Sequence, residues 1–336
     1  MQELTDNPLV AFLLIGFLVA SLAIWSRVFS RLSHRQQLLP AGPRREVPWR
    51  GIHVGVAFLV YIVLPQSAFL LARWRFDLAS ISKEDLKNPE IIVLLMAAQS
   101  VLFLLAMALI ATYLRIDLAV DRSDLGYSAR EIGKDLVLGV CAFVAIAPPV
   151  FALQSFLVLV YRQWYDGPAL HPIIETIMDQ PTPSILIWST ISAVLVAPLV
   201  EEFLFRVVLQ GWLERVGRGT RLAIQILRQN ERRLENPMDD ANEENPYAAP
   251  SVTSDAGHPV QRTESTPERL MPGPILISAM LFAVFHLGQG PAPIPLFLLA
   301  LVLGYLYQKT HRILPSLVVH FLLNGTTMLV LWMGYA

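Results

Sequence analysis

The stretch "APLVEEFLFR", Ala197 to Arg206, sets two adjacent glutamates and an arginine inside an apolar run that begins near Ser184 and ends near Trp212. A charge at the centre of a membrane helix costs roughly 2.5–3.5 kcal/mol on insertion scales. Three of them together need a reason. Glu202 and Arg206 are four residues apart, so they share a helical face, with the glutamate on the favoured N-terminal side. In a low dielectric each neutralises the other. Glu201 points about 100° away and gains no such partner within its own helix. Pro198 leaves the Val194 carbonyl without its helical donor and bends the span beside the charges. A lone carboxylate next to a broken helical ladder favours function over structure.

The surrounding chain explains why the run is apolar. Of 336 residues, 54% are hydrophobic and only 16% charged, against about 25% charged in soluble domains. Several stretches reach the roughly 20 apolar residues that cross a bilayer. The expected fold is therefore all-α: a polytopic membrane protein of about eight transmembrane helices, bundled around an intramembrane cavity. A net charge of −1 gives no case for nucleic acid. The single cysteine, Cys141, excludes an intrachain disulfide and a thiolate metal cluster. The start, "MQELTDNP", lacks the basic region of a cleavable signal, so the run Leu9–Trp25 reads as a retained span with its N-terminus outside.

Apolar runs predict spans at about 8–27, 52–72, 90–114, 135–161, 184–212, 273–289, 292–308 and 313–334. The sixth and seventh are short and joined by "GQGPAPIP"; a re-entrant pair is the alternative. Segments 27–50, 115–134, 213–270 and 309–312 hold 20 Lys and Arg, whereas 73–87 and Arg162 hold 5. Positive charge marks the cytoplasmic side. Both termini are thus expected outside, most simply at a plasma membrane. Within 213–270, "ERVGRGTRLAIQILRQNERRLE" can extend the fifth span as an amphipathic helix. The polar, Pro-rich and acidic remainder cannot bury a core and is expected to be a disordered cytoplasmic insert.

Other spans carry possible partners for Glu201. The sixth ends "LFAVFHLGQG", with His286 four residues after Phe282, and the eighth contains "VVHFLLNG", with His320 and Asn324 on one face. A single such group commonly does no more than hydrogen-bond a neighbouring helix. Together, Glu201, His286, His320 and Asn324 are residue types of acid–base and oxyanion chemistry, at similar depths in spans that packing can bring together. Counted inward from the basic side, all four fall in the inner to central part of the membrane, which predicts a cavity facing the cytoplasm. His34, His53, His171, His258 and His311 lie in or beside loops and are expected to be solvated or interfacial.

"EEFLFR" (Glu201–Arg206), "FAVFH" (Phe282–His286) and "HFLLN" (His320–Asn324) resemble the EExxxR, FxxxH and HxxxN motifs of the CPBP family of intramembrane proteases, in order. That family includes CAAX prenyl endopeptidases and Abi-like, bacteriocin-processing or self-immunity proteins. The upstream "DLGYSAREIGKDLVLG", Asp124–Gly139, is similar to the segment that often introduces its domain. The resemblance covers residues 124–334, interrupted by the insert 213–270, and leaves 1–123 as about three N-terminal spans with a basic loop. It implies an endopeptidase acting on a membrane-associated, possibly prenylated, protein or peptide. Glu201 would activate water, His286 would hold that water, and His320 and Asn324 would stabilise the oxyanion, with Glu202 and Arg206 as a supporting ion pair. No cofactor is obligatory in this scheme. If zinc takes part, Glu201, His286 and His320 are its ligands, although the chain has no HExxH helix. Two other classes remain open: a proton- or ion-coupled transporter, since intramembrane Glu, His and Arg also mark ion pathways, and a non-catalytic membrane peptide-binding or immunity protein. Oligomeric state is not legible.

Overall fold

The computed structural model describes residues 8–40, 42, 46–82, 84–164, 172–235 and 270–334. The regular structure there is helical, as a bilayer without hydrogen-bonding solvent demands of a spanning chain. The elements are α1 (Pro8–Ser33), α2 (Gly51–Arg75, with a 3-10 turn at Leu64–Gln66), α3 (Pro89–Leu118), α4 (Ile132–Trp164), the short α5 (Pro172–Asp179), α6 (Pro183–Glu235), α7 (Pro272–Val284), α8 (Pro293–Thr310) and α9 (Leu314–Met333). Seven are long and apolar enough to cross a membrane. At 13 residues, α7 spans about 20 Å, short of the roughly 30 Å hydrocarbon core. The expected eight spans are thus seven plus one short apolar helix, which pairs with α8 across the Gly/Pro turn.

Local sequence sets the boundaries. Proline occupies the first turn of α3, α6, α7, α8 and α9, where its missing N–H costs nothing. Asn88 and Thr182 cap α3 and α6 by accepting from the backbone N–H of Glu90 and Ile185. Left-handed Ala119 and His311 stop α3 and α8. Within α4, Pro149 removes the helical donor to Ala145 O. Trp25 of α1 supplies a replacement, its Nε1 lying 2.9 Å from that oxygen. An otherwise lipid-exposed first helix is thereby tied to the bundle.

One hydrophobic core joins both parts of the chain. Trp49, Val54, Ala57, Ile110 and Leu114 pack with Phe203–Leu209 of α6, Phe282 of α7 and Tyr307 of α8. A second cluster joins α4, α8 and α9 through Ile146, Val150, Leu303, Val319 and Leu323. Helices α4 and α9 cross closely at Gly139, where a Cβ would come 2.6 Å from Val318 Cβ.

The bundle has two distinct ends. At the basic end, Arg312 grips Asp135 at 2.6–2.9 Å, Ile313 N donates to Gly126 O at 3.0 Å, and Gly42 N to Lys309 O at 2.8 Å. At the far end, Gln180 Nε2 donates to Lys87 O at 2.6 Å and Trp332 Nε1 to Thr190 Oγ1 at 3.0 Å. From the basic end α6 continues to Glu235, the extension expected from its amphipathic sequence. The acidic, Pro-rich remainder of the insert, His258 and His171 lie outside the described residues.

Candidate active site

The functional stretch does not form a uniform α-helix. Ile191–Val196 and Phe203–Gln210 are π-helical, and between them Ala197–Glu202 is α. Single π-turns recur at functional sites because they re-aim side chains. Here the wider turn has a second effect. Ala197 N bonds Ser192 O, five residues back, so the carbonyl next in the ladder, facing Pro198, is that of Ala193. Asn324 Nδ2 donates to that oxygen at 2.7 Å. The orphan carbonyl expected at Val194 is thus shifted by one residue, and a side chain from α9 satisfies it.

Glu202 and Arg206 are fully buried and paired, Arg206 Nε to Glu202 Oε2 at 3.1 Å. Arg206 Nη1 donates to Ser278 Oγ at 3.1 Å, and Ser278 in turn donates to Phe205 O at 2.9 Å. The guanidinium also lies 5.3 Å from the Phe282 ring centre. The other oxygen of Glu202 faces His320 Nδ1 at 3.1 Å, while His320 Nε2 lies 3.8 Å from Glu201 Oε2. The carboxylate accepts, so His320 carries its proton on Nδ1 and presents Nε2 towards Glu201. His286 behaves alike: its Nδ1 meets Phe282 O at 2.7 Å, which leaves Nε2 as its free ring nitrogen. In a helix that ends at Val284, the FxxxH spacing lets the histidine cap its own last turn.

Glu201, His286, His320 and Asn324 line one cavity of about 200 Å³. Its wall is mostly apolar, with Val150, Phe151, Leu296, Leu323 and Met328 facing the four polar groups. Of the remaining histidines, His34 bonds Ser30 O on the surface, His53 is buried between Arg50 N and Asp117, and His311 lies 4.0 Å from Glu214. None of these three lines the cavity. Burial of His53 departs from the interfacial placement expected of it: it caps α2 and ties it to α3.

Three polar residues of the wall went unread in the sequence, Gln154, Gln289 and Thr327. Gln289 Oε1 is buried and has no hydrogen-bond partner among the described residues. Its position in "GQGP" carries the signal of a turn, which masked it. Phe58 and Tyr61 of α2 lie against Phe285, the neighbour of His286, with ring centres 5.7 and 6.4 Å apart, so the motif-free N-terminal spans approach the site.

For zinc, the fit is poor. Among the described residues no three His, Cys, Asp or Glu side chains converge as a metal group. Glu201, His286 and His320 share the cavity without forming a preassembled ligand set.

Besides the four polar groups and the apolar wall, the cavity lining includes Gln154, Ile174 of α5, Gln289, Ala292 and Thr327.

A family model described as type II CAAX prenyl endopeptidase Rce1-like matches residues 183–227 and 260–326. Those segments contain all three motifs. No curated protein and no solved structure matches the chain. With seven apolar helices of spanning length, the chain is an integral membrane protein. Across its motif helices it matches the Rce1-like CAAX prenyl endopeptidase family, consistent with a protease of the CPBP family.

Proposed function

We propose that the cavity is the active site of an intramembrane endopeptidase that hydrolyses a peptide bond of a membrane-associated protein or peptide. The observation that carries this reading is the meeting of Glu201, His286, His320 and Asn324 on one cavity wall inside the bundle. Prenylated proteins are one substrate class that the family match allows.

Glu201 takes a proton from a water held by His286 Nε2, and the water oxygen bonds to the scissile carbonyl carbon. The carbonyl π pair moves onto its oxygen, which His320 and Asn324 face as donors. Collapse of the intermediate restores the carbonyl and breaks the C–N bond, and the proton held by Glu201 passes to the leaving nitrogen. Because His320 Nδ1 is committed to Glu202, donation from Nε2 requires the imidazolium. Its charge is balanced locally: Arg206 and His320 are positive, Glu201 and Glu202 negative. A neutral set of this kind is the affordable form of buried charge. The route needs no metal. Residues 124–334 supply these groups, and the N-terminal spans brace them.

A fully buried floor of Glu202, Arg206 and Phe282 beneath the cavity supports hydrolysis over ion conduction. The test compares membrane-protein termini in cells expressing wild type or Glu201→Ala at matched levels. Defined new termini are expected with wild type alone. A cellular phenotype that persists in Glu201→Ala with unchanged termini would sink the endopeptidase reading and favour a binding protein.

A further inference from the structure

Several polar groups of the cavity wall are already engaged by the protein itself. His286 Nδ1 meets Phe282 O, and His320 Nδ1 meets Glu202. Asn324 Nδ2 donates to Ala193 O, and Thr327 Oγ1 to Leu323 O. Gln289 departs from this pattern. It lines the same cavity, yet its Oε1 is buried without a hydrogen-bond partner among the described residues. A buried acceptor in that state bears its full desolvation cost. The main chain of Gln289, in contrast, is committed on both sides: its N–H donates to His286 O, and its carbonyl accepts from Ala292 N, each at 3.3 Å. Left-handed glycines flank it, Gly288 at φ 93° and Gly290 at φ 57°, a conformation that glycine adopts at no steric cost. The turn thus holds the carboxamide three residues beyond His286 and leaves only the side chain for another molecule.

We infer that Gln289 is a substrate-binding residue whose Oε1 accepts a main-chain N–H of an extended peptide lying in the cavity. The two partners have complementary needs. A peptide entering a mostly apolar cavity strips water from its own amides, and each N–H must then find an acceptor in the protein. The apolar wall of Val150, Phe151, Leu296, Leu323 and Met328 receives apolar side chains by shape, while Gln289 reads the backbone. The site therefore tolerates different apolar side chains but requires an N–H at one position, where proline is rejected. Such a bond is made equally in the bound substrate and in the transition state, so it acts on KM rather than on kcat. The inference rests on the endopeptidase reading above for its substrate.

The probe is a farnesylated peptide ending in cysteine, two aliphatic residues and methionine, with versions N-methylated at each of its last three main-chain nitrogens in turn. Dissociation constants are measured in detergent on the full chain carrying Glu201→Gln, with and without Gln289→Leu. At one position the N-methyl group is expected to weaken binding a few-fold to about tenfold, the worth of one neutral hydrogen bond. Gln289→Leu should weaken the unmodified peptide by a similar factor, and in that variant the same N-methyl group should cost little more. In protein that retains Glu201, Gln289→Leu should raise KM and leave kcat unchanged. Its melting temperature should be unchanged or higher, because a buried unsatisfied acceptor has been removed. A lower melting temperature with unaltered binding would mark Gln289 as structural and overturn the inference. So would an N-methyl effect of the same size in both proteins, or a protein that binds none of the peptides. Glu201-dependent cleavage that is indifferent to Gln289 sinks this inference and leaves the endopeptidase reading standing. Gln289-dependent discrimination in a protein that cleaves nothing does the reverse.

Discussion

Glu201 and Glu202 are neighbours in sequence with opposite duties. Glu202 has no exposed surface and spends both oxygens on Arg206 and His320. Glu201 faces the cavity, with His320 Nε2 at 3.8 Å as its nearest ionic neighbour. The two should separate experimentally. Glu201→Gln keeps the shape and removes the base, so cleavage should fall by about 10²–10⁴-fold with an unchanged melting temperature in detergent. Glu202→Ala strands a buried Arg206, so it should destabilise the protein by about 3–5 kcal/mol, seen as a lower melting temperature, and it should lose activity as well. Equal melting temperatures for the two variants would contradict the division. At this scale the sequence was informative: the spacing of Glu202 and Arg206 foretold their pairing, and the isolation of Glu201 within its helix foretold that it stands outside that pair. Neither spacing revealed that His320 bridges the two carboxylates, because that contact crosses 118 residues and depends on packing of α9 against α6.

Among the helices, the recurrent device is a proline whose missing N–H frees a carbonyl for a side chain of another helix. Trp25 reaches Ala145 O in α4, and Asn324 reaches Ala193 O in α6. The prolines were visible in the sequence, but the π-turn that moves the second orphan from Val194 to Ala193 was not. Periodicity assigns a face by assuming one turn size, and this segment uses two. The same bond gives Asn324 a structural duty beside the proposed oxyanion contact, since one amide N–H is already engaged. Asn324→Ala should leave the Ala193 carbonyl unsatisfied at a cost of about 1–3 kcal/mol. In a Pro198→Ala background, where a backbone N–H is restored nearby, the cost should shrink, a coupling of about 0.5–3 kcal/mol in a double-mutant cycle. Cleavage should not recover in the double variant, because the cavity still lacks the amide. Additive stabilities would show that Asn324 does not act through that carbonyl.

At the level of the whole chain, the apolar runs announced a helical membrane bundle, and the motifs announced which helices carry the polar groups. The partition into N-terminal spans and a motif-bearing part is a boundary of sequence, and the packing runs straight across it. Trp49 is fully buried, with its Nε1 donating to Val208 O at 2.9 Å. Arg215 Nη1 lies 2.5–3.2 Å from the three carbonyl oxygens of Val47, Pro48 and Trp49. Phe58 of α2 meets Phe205 of α6 edge to face, with ring centres 5.6 Å apart. A stretch without motifs gives no sign of this, because apolar surfaces that pack together need only fit, and shape is not written as a pattern. Residues 124–334 expressed alone would leave the flank of α6 that faces Trp49, Val54 and Ile110 bare, although α6 carries the proposed base. That fragment should therefore aggregate or elute as a broad species in detergent, and co-expression with residues 1–123 should restore a monodisperse complex that cleaves in a Glu201-dependent way. Within the intact chain, Trp49→Ala should cost about 3–5 kcal/mol while leaving the cavity residues unaltered, so its effect should appear in thermal unfolding before it appears in catalysis. A fragment 124–334 that is monodisperse and active on its own would show that the N-terminal helices are an appendage and that the shared core is not needed to hold α6 in place.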